Sequence, residues 1–207
     1  MGPLEIEVKF HIDNTDRIRK RIIDLGAQSQ GRCFETNIRF EDDKNSLIRQ
    51  RALLRLRKDK KTTLTFKSER SDGANQFKIF KELEVEVNDF CVMEQILESI
   101  GFHREQVYEK WRETFMLNKT VICIDSLPFG SFIEIEGTGE IIKPVSEKLG
   151  LQWEQRILLN YLAQFEIIKQ KSGLNFKDVT FDNFKNTKID LKDYSHLYRI
   201  GGKEEFR

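Results

Sequence analysis

The chain repeatedly alternates between apolar and charged residues. Residues 4–10 read Leu-Glu-Ile-Glu-Val-Lys-Phe, so every second side chain is apolar and those between are charged. Successive side chains of a strand point to opposite sides, so this period of two predicts a β-strand with one apolar and one charged side. Similar alternation, or a short apolar run between turn residues, predicts seven more strands, at residues 33–40, 52–58, 62–67, 80–87, 108–115, 121–125 and 131–136.

Four other segments place their apolar residues three and four positions apart, which predicts helices. The first lies between a cap at residues 13–15 and Gly26, and the second between a cap at residue 88 or 89 and Gly101. The remaining two are predicted at residues 144–149 and 156–171.

An internal repeat organises these elements. Residues 26–40 align without a gap on residues 101–115, and each half reads as strand, helix, strand and hairpin. Two such halves predict an α+β fold that is mainly antiparallel β, a closed eight-stranded β-barrel with helices packed outside, because closure removes exposed sheet edges. In the repeat, Glu35 and Asn37 take the positions of Lys110 and Arg112, so the halves differ in function.

Composition limits the class of protein. With 207 residues, 39 % of them hydrophobic, the chain suits one large domain, which we assign to residues 1–185, followed by a polar tail at residues 186–207. Its three cysteines lack CxxC spacing, which argues against a disulfide framework or a zinc site. No apolar run approaches the ~18 residues of a membrane span, and the first residues do not resemble a leader peptide. We therefore expect a cytoplasmic protein without membrane association.

The charges nearly cancel but are segregated along the chain. Thirty-five basic and 34 acidic residues give a net charge of +1, which offers no basic footprint for nucleic acid. Residues 49–70 are nevertheless strongly basic, whereas in residues 81–89 the charge balance inverts, with four acidic residues and one basic residue. The charged sides of the strands therefore carry blocks of like charge.

The position of these charged sides admits two interpretations. In a half-buried antiparallel sheet the charged side faces water, which explains any single strand. Blocks of like charge fit that interpretation poorly, because adjacent like charges repel. In a closed barrel with outer helices, the apolar residues, including Trp111 and Phe115, form a core outside, and the charges line the lumen. Clustered carboxylates suit Mg²⁺ or Mn²⁺, and arginine and lysine suit phosphate oxygens, which predicts a triphosphate with a divalent cation as the ligand.

The order of charged motifs resembles the CYTH domain family, the triphosphate tunnel metalloenzymes named for class IV adenylyl cyclases and thiamine triphosphatases. Residues 5–9 have the ExExK form that opens this domain. The resemblance spans residues 4 to about 165 and continues in the family's order through residues 54–57, 65–67, 82–84, 110–112, Asp125 and 132–136. It implies a barrel that binds triphosphates together with Mg²⁺ or Mn²⁺.

The resemblance also implies roles for thirteen residues. The implied metal ligands are Glu5, Glu7, Glu134 and Glu136, joined by Glu82 and Glu84. The implied phosphate-binding residues are Lys9, Arg55, Arg57, Lys67, Lys110 and Arg112. Asp125 would orient a base or bind the metal, and Lys9 would position the attacking group unless it only pairs with a neighbouring glutamate.

Three functions fit this reading. The first is metal-dependent hydrolysis of inorganic triphosphate, thiamine triphosphate or ATP. The second is the class IV adenylyl cyclase reaction, which converts ATP to cyclic AMP and pyrophosphate. The third is a non-catalytic module that binds polyphosphate or nucleotide. In each case the partner is a small triphosphate-bearing molecule, and the chain is expected to be a monomer or a homodimer.

Overall fold

Eight antiparallel strands form the body of the protein. The structure is a computed structural model that describes residues 4–69 and 76–187, together with Ile189, Tyr194 and Leu197. The strands are β1 (Leu4–His11), β2 (Gln28–Asp42), β3 (Ala52–Lys58), β4 (Thr62–Glu69), β5 (Lys78–Val87), β6 (Phe102–Leu117), β7 (Thr120–Leu127) and β8 (Gly130–Glu136). They pair in the order β1-β5-β4-β3-β2-β6-β7-β8, and β8 pairs again with β1, which closes the barrel.

Five α-helices accompany the barrel, and none within the described part of the chain is long and apolar enough to cross a membrane. They are α1 (Thr15–Asp24), α2 (Ser46–Arg49), α3 (Phe90–Ser99), α4 (Gly139–Lys148) and α5 (Tyr161–Ser172). The predicted caps are confirmed where Asn14 accepts a hydrogen bond from the backbone of Arg17, and Asp89 from that of Val92. The predicted fold class, a closed antiparallel barrel with outer helices, is therefore confirmed.

Several boundaries differ from the prediction. Helix α2 was not expected; the Glu41 carboxylate accepts hydrogen bonds from the backbone N–H groups of Leu47 and Ile48, which stabilises its first turn. Helix α4 begins at Gly139, before Pro144, and not at the proline. Helix α5 begins at Tyr161 and not at residue 156, because Ile157 instead exchanges two backbone hydrogen bonds with Lys9.

The apolar sides of the strands pack outward beneath helices. Val8, Phe10, Ile133 and Ile135 are at most 2 % exposed and belong to one core cluster with residues of helices α1 and α4. A second cluster packs Leu97 of helix α3 against apolar residues of strands β2 and β3. Since side chains alternate along each strand, the charged residues between these positions face into the barrel.

Helix α5 lies across one end of the barrel. Its first residue, Tyr161, packs against Phe132 with ring centroids 5.1 Å apart, and Phe132 shares the inner side of strand β8 with the glutamates. Beside the helix, Ile157 bridges to Lys9 of β1, and Val179 bridges to Tyr108 of β6. These segments pair where the neighbouring strands end, so this end of the lumen is closed.

The predicted tail begins next to this closed end. Ile189, Tyr194 and Leu197 pack against the apolar cluster that contains Phe165 of helix α5. The other residues from 188 to 207 lie outside the described part of the chain, so the proposed boundary at residue 185 stays a prediction.

Trp111 is not a core residue, in contrast to the prediction. Its side chain is 39 % exposed and lies against Phe34 and Arg32 of strand β2 on the outer side of the barrel. Phe115, four residues further along the same strand, is fully buried in the core cluster that includes Ile18 and Ile22 of helix α1. The alternation assigned both residues to the outer side correctly, but only Phe115 lies beneath a helix.

This difference predicts unequal costs for two truncations on one strand. Phe115→Ala should lower the free energy of unfolding by about 3–5 kcal/mol, because it removes a ring from a closed core. Trp111→Ala should lower it by about 1 kcal/mol, the scale of an exposed cation–π contact. Urea denaturation of both variants tests this, and equal losses would contradict the assignment of the two sites.

Candidate active site

The lumen contains all thirteen residues predicted for the site. Alternation along seven strands turns their side chains inward, and closure of the barrel brings neighbouring members of the set into contact. They divide by their neighbours into a carboxylate cluster, a group of cations each paired with carboxylates, and a buried hydrogen-bonded centre at Asp125.

Three of the six predicted metal ligands form the carboxylate cluster. One oxygen from each of Glu5, Glu7 and Glu136 lies within 4.8 Å of the others, and Glu7 lies directly opposite Glu136 in the pairing of strands β1 and β8. Burial, with help from the neighbouring glutamates, raises the pKa of Glu136 to about 7. Burial also raises the pKa of Glu5 above its usual value, despite the nearby Lys67. Both shifts show that ionising these buried carboxylates is costly, and a bound cation would reduce that cost.

The other three predicted ligands lie outside the cluster, and each contacts a cation, as Glu5 and Glu7 also do. Glu134 lies 2.9 Å from the Lys9 ammonium and also accepts a hydrogen bond from Arg112. Burial would raise the pKa of Glu134, but these two cations hold it well below its usual value. Glu82 lies 3.1 Å from Lys67. Glu84 accepts a hydrogen bond of 2.8 Å from Thr65 and lies near the arginines of strand β3.

Three other residues whose side chains can bind metal, Cys33, Glu35 and Asp59, also lie together, but they suit a cation less well. Their ligand atoms lie within 4.8 Å of one another. Burial would raise the pKa of Glu35, but Lys110 and Arg112, with the arginines of strand β3, lower it to about 2. Because these cations already neutralise the carboxylate and repel a further positive charge, a divalent ion is better accommodated by the Glu5, Glu7 and Glu136 cluster.

Each cation predicted to bind phosphate has a carboxylate neighbour. The Lys9 ammonium lies 2.6 Å from Glu7 and 2.9 Å from Glu134. Burial would lower the pKa of Lys9, but these two carboxylates raise it above its usual range. Lys67 likewise contacts Glu5 and Glu82, Arg57 contacts Asp59 and Glu84, and Arg55 contacts Glu84. An anion that enters the lumen therefore has to replace these carboxylates.

Asp125 is the hydrogen-bonded centre of the inner wall. Its carboxylate is fully buried and accepts two hydrogen bonds from Arg112, at 2.7 and 2.6 Å, and one from Lys110, at 2.9 Å. The hydroxyl of Tyr161 donates a further bond of 2.9 Å. The predicted alternatives for Asp125 were a base-orienting residue or a metal ligand; its contacts are those of a residue that orients two cations.

Among the lumen residues that sequence reasoning missed are Tyr161 and Lys78. Tyr161 lies at the start of helix α5, beyond the strands that the alternation identified, and Asn160 caps that helix by accepting a bond from the backbone of Ala163. Lys78 lies opposite Glu7 on strand β5, which begins two residues earlier than predicted. Burial, together with the charge of Lys9, lowers the pKa of Lys78 to about 8. A strand predicted from residue 78 would have placed Lys78 in the lumen.

At its other end the lumen meets a cavity. It has a volume of about 330 Å³ and is lined by Leu4, Glu5, Glu82 and Glu84. Glu5 belongs both to the lining of this cavity and to the carboxylate cluster, so the cluster lies next to this mouth of the lumen, which we call the acidic mouth.

The chain is similar to known proteins both in sequence and in structure. The chain is 26 % identical over 147 residues to the "Putative adenylate cyclase MJ0240" of Methanocaldococcus jannaschii, covering 70 % of this chain and 81 % of the relative. Among solved structures, PH1012 protein from Pyrococcus horikoshii OT3 is 30 % identical, with 76 % of this chain and 96 % of that chain covered and a TM-score of 0.66.

The description of a third similar protein, a solved structure, names an activity. HpAC1 from Hippeastrum, described as a "putative adenylyl cyclase" with a dominant triphosphatase activity, is 17 % identical and has a TM-score of 0.59, with 83 % of this chain and 97 % of that chain covered. At this identity the likeness shows the fold. The sequence profile of the CYTH domain matches residues 3–155, which include all eight strands and the whole carboxylate cluster. The chain belongs to the CYTH domain family.

Proposed function

We propose that the protein is a divalent-metal-dependent enzyme that hydrolyses an inorganic or organic triphosphate inside the barrel lumen. The observation that carries the proposal is that one lumen holds both a cluster of three carboxylates and the six basic side chains predicted to bind phosphate. The first group suits a divalent cation and the second suits a chain of phosphates. The dominant triphosphatase activity of HpAC1, a protein with the same fold, supports hydrolysis.

The carboxylate cluster fits Mg²⁺ or Mn²⁺ by its chemistry. Glu5, Glu7 and Glu136 offer hard oxygen ligands, and the raised pKa of Glu136 reflects burial beside like charges that a cation would relieve. Glu134, Glu82 and Glu84 lie outside this cluster, which makes them less suited to bind the same ion. When bound, the metal would supply charge neutralisation and an activated water.

The basic residues are positioned to bind the phosphate chain. Arg112 is held by Asp125 through two hydrogen bonds, so its guanidinium is oriented before any ligand arrives. Lys110 shares the same carboxylate. Oriented donors stabilise charge on phosphoryl oxygens without first reorganising, which is the main contribution that a protein makes to phosphoryl transfer. Asp125 and Tyr161 therefore act as positioning residues.

The alternative reaction is that of a class IV adenylyl cyclase, and the name of MJ0240 favours it. The same residues would serve both reactions. The two reactions differ in the phosphorus atom that is attacked. A hydrolase directs water at a terminal phosphorus, whereas a cyclase directs the ribose 3′-hydroxyl at the α-phosphorus.

A substrate panel tests the proposal. Inorganic triphosphate, thiamine triphosphate, ATP and GTP are each incubated with Mg²⁺ or Mn²⁺, and phosphate, pyrophosphate and cyclic nucleotide are measured. We expect metal-dependent release of phosphate. Cyclic AMP with pyrophosphate from ATP would identify a cyclase instead, and binding without turnover would identify a non-catalytic module.

Removing one carboxylate of the cluster should strongly reduce the rate of the metal-dependent reaction. Glu7→Gln replaces a ligand by a neutral amide of the same shape, and we expect turnover to fall on the order of 100-fold. Glu86→Gln is the matched control: Glu86 lies on strand β5, is exposed and pairs with Lys61. Its turnover should change less than about twofold. Steady-state phosphate release at saturating Mn²⁺ checks both variants; wild-type activity in Glu7→Gln would remove Glu7 from the metal site.

The raised pKa of Glu136 predicts a pH-dependent stability. Its pKa is about 7 in the folded protein and about 4.5 when unfolded, so the folded state binds the extra proton between these values. Without metal, stability should therefore fall as pH rises from about 4.5 to about 7, and the full penalty of ionising the buried side chain should apply above pH 7. In a chelator at pH 8, Glu136→Gln should be more stable than wild type by on the order of 1–2 kcal/mol. The gap should shrink at pH 6.

Urea denaturation with and without Mn²⁺ measures this effect. Bound metal stabilises only the protein that binds it, so Mn²⁺ should raise the stability of wild type more than that of Glu136→Gln. An advantage for the variant that is independent of both pH and Mn²⁺ would contradict a cation site at Glu136.

A further inference from the structure

Three neighbouring strands place a row of polar side chains on the inner wall, opposite the carboxylate cluster. Asn37 of β2 pairs with Arg57 of β3, and Arg57 pairs with Thr63 of β4, so the three side chains lie side by side. We call them the polar row. Strand β2 is four strands away from β1 in the ring of eight, so the row faces Glu5 and Glu7 across the lumen.

The polar row has hydrogen-bonding groups without partners. Asn37 is fully buried, and within the described part of the chain neither its amide nitrogen nor its amide oxygen makes a hydrogen bond. The same holds for the Thr63 hydroxyl and for Nε of Arg57, which lies 3.4 Å from Asp59 without hydrogen-bond geometry. Buried polar groups are nearly always satisfied, so such a set indicates partners supplied by something that binds.

The internal repeat allows the polar row to be compared with the equivalent positions in the second half of the barrel. Arg112 occupies in the repeat the position of Asn37, and its guanidinium is satisfied by two bonds to Asp125. The first half instead has a neutral amide beside a carboxylate, Glu35, where the second has two cations. A phosphate chain gains little from these two residues, because a carboxylate repels it and an amide is uncharged.

The chemistry of Asn37 narrows the ligand. Its amide offers two donor hydrogens and one acceptor oxygen, and the Thr63 hydroxyl offers both functions. Oxygens of an ionised phosphate only accept, so they would leave the Asn37 oxygen unsatisfied. A sugar hydroxyl, or the edge of a nitrogen heterocycle, carries both a donor and an acceptor.

We propose that the polar row is the subsite for the organic part of the substrate, a group that carries both hydrogen-bond donors and acceptors. This inference rests on the proposed function and deepens it, since it assigns the enzyme an organic triphosphate and not inorganic triphosphate as its preferred substrate. The contacts of Arg57 with Asp59 and Glu84, at 3.4 and 3.5 Å, are long, so a phosphate group of the substrate can compete for its guanidinium while the organic part contacts Asn37 and Thr63.

The test compares substrates within each variant. Asn37→Leu and Thr63→Val remove the hydrogen-bonding groups at similar volume, and Thr62→Val, on the outer side of the same strand, is the matched control. The measured quantity is the ratio of kcat/KM for ATP or thiamine triphosphate, whichever wild type uses better, to that for inorganic triphosphate. We expect this ratio to fall about tenfold or more in Asn37→Leu and Thr63→Val, and to stay at the wild-type value in Thr62→Val.

Two results would overturn the inference. An unchanged ratio with unchanged activity shows that nothing binds the row, and an equal loss with all substrates shows that it serves the phosphate chain, a water or the fold. If wild type hydrolyses no triphosphate, the proposed function fails, and calorimetric affinities for ATP and inorganic triphosphate then test the row alone. The ratio of these affinities should fall in the same two variants, and an unchanged ratio again rejects the subsite.

Discussion

Enclosure of ionised side chains in the barrel lumen is the constraint on which the rest of the structure depends. A charge removed from water is costly unless a neighbouring charge and hydrogen bonds compensate. The lumen meets this requirement with its own residues: Lys9 lies between Glu7 and Glu134, and Asp125 accepts bonds from Arg112, Lys110 and Tyr161. Many of the residues proposed to bind a ligand are thus the residues that compensate one another in its absence.

This arrangement makes ligand binding an exchange of partners. A phosphate that takes Arg57 from Glu84 frees a carboxylate, and a cation near the Glu5, Glu7 and Glu136 cluster can neutralise the negative charge that accumulates there. A bare polyphosphate would instead raise the charge imbalance of the lumen. Metal and triphosphate are therefore expected to stabilise each other's binding, since each compensates the charge that the other brings.

The sequence predicted the fold and the inward position of the charges because both follow from local alternation plus closure. Period two placed Glu5 and Lys9 on one side of β1, and outer helices required that side to face inward. It could not predict which carboxylates cluster, because this depends on register. Glu136 pairs across from Glu7, whereas Glu134, two residues earlier, pairs across from Lys9 and becomes its counter-ion. Tyr161 was missed for another reason: it enters the lumen from a helix outside the alternating segments.

Closure of one end also makes the two ends of the lumen different. Tyr161 and Phe132 close the end where Asp125 holds Lys110 and Arg112, and the acidic mouth at Glu5, Glu82 and Glu84 lies next to the carboxylate cluster. Since helix α5 closes the far end, a ligand that reaches the inner cations has to pass the carboxylate cluster. A free triphosphate is repelled along this path, whereas one that already carries a divalent cation is repelled less. The closed end and the acidic mouth thus favour a metal complex of the triphosphate over the bare anion.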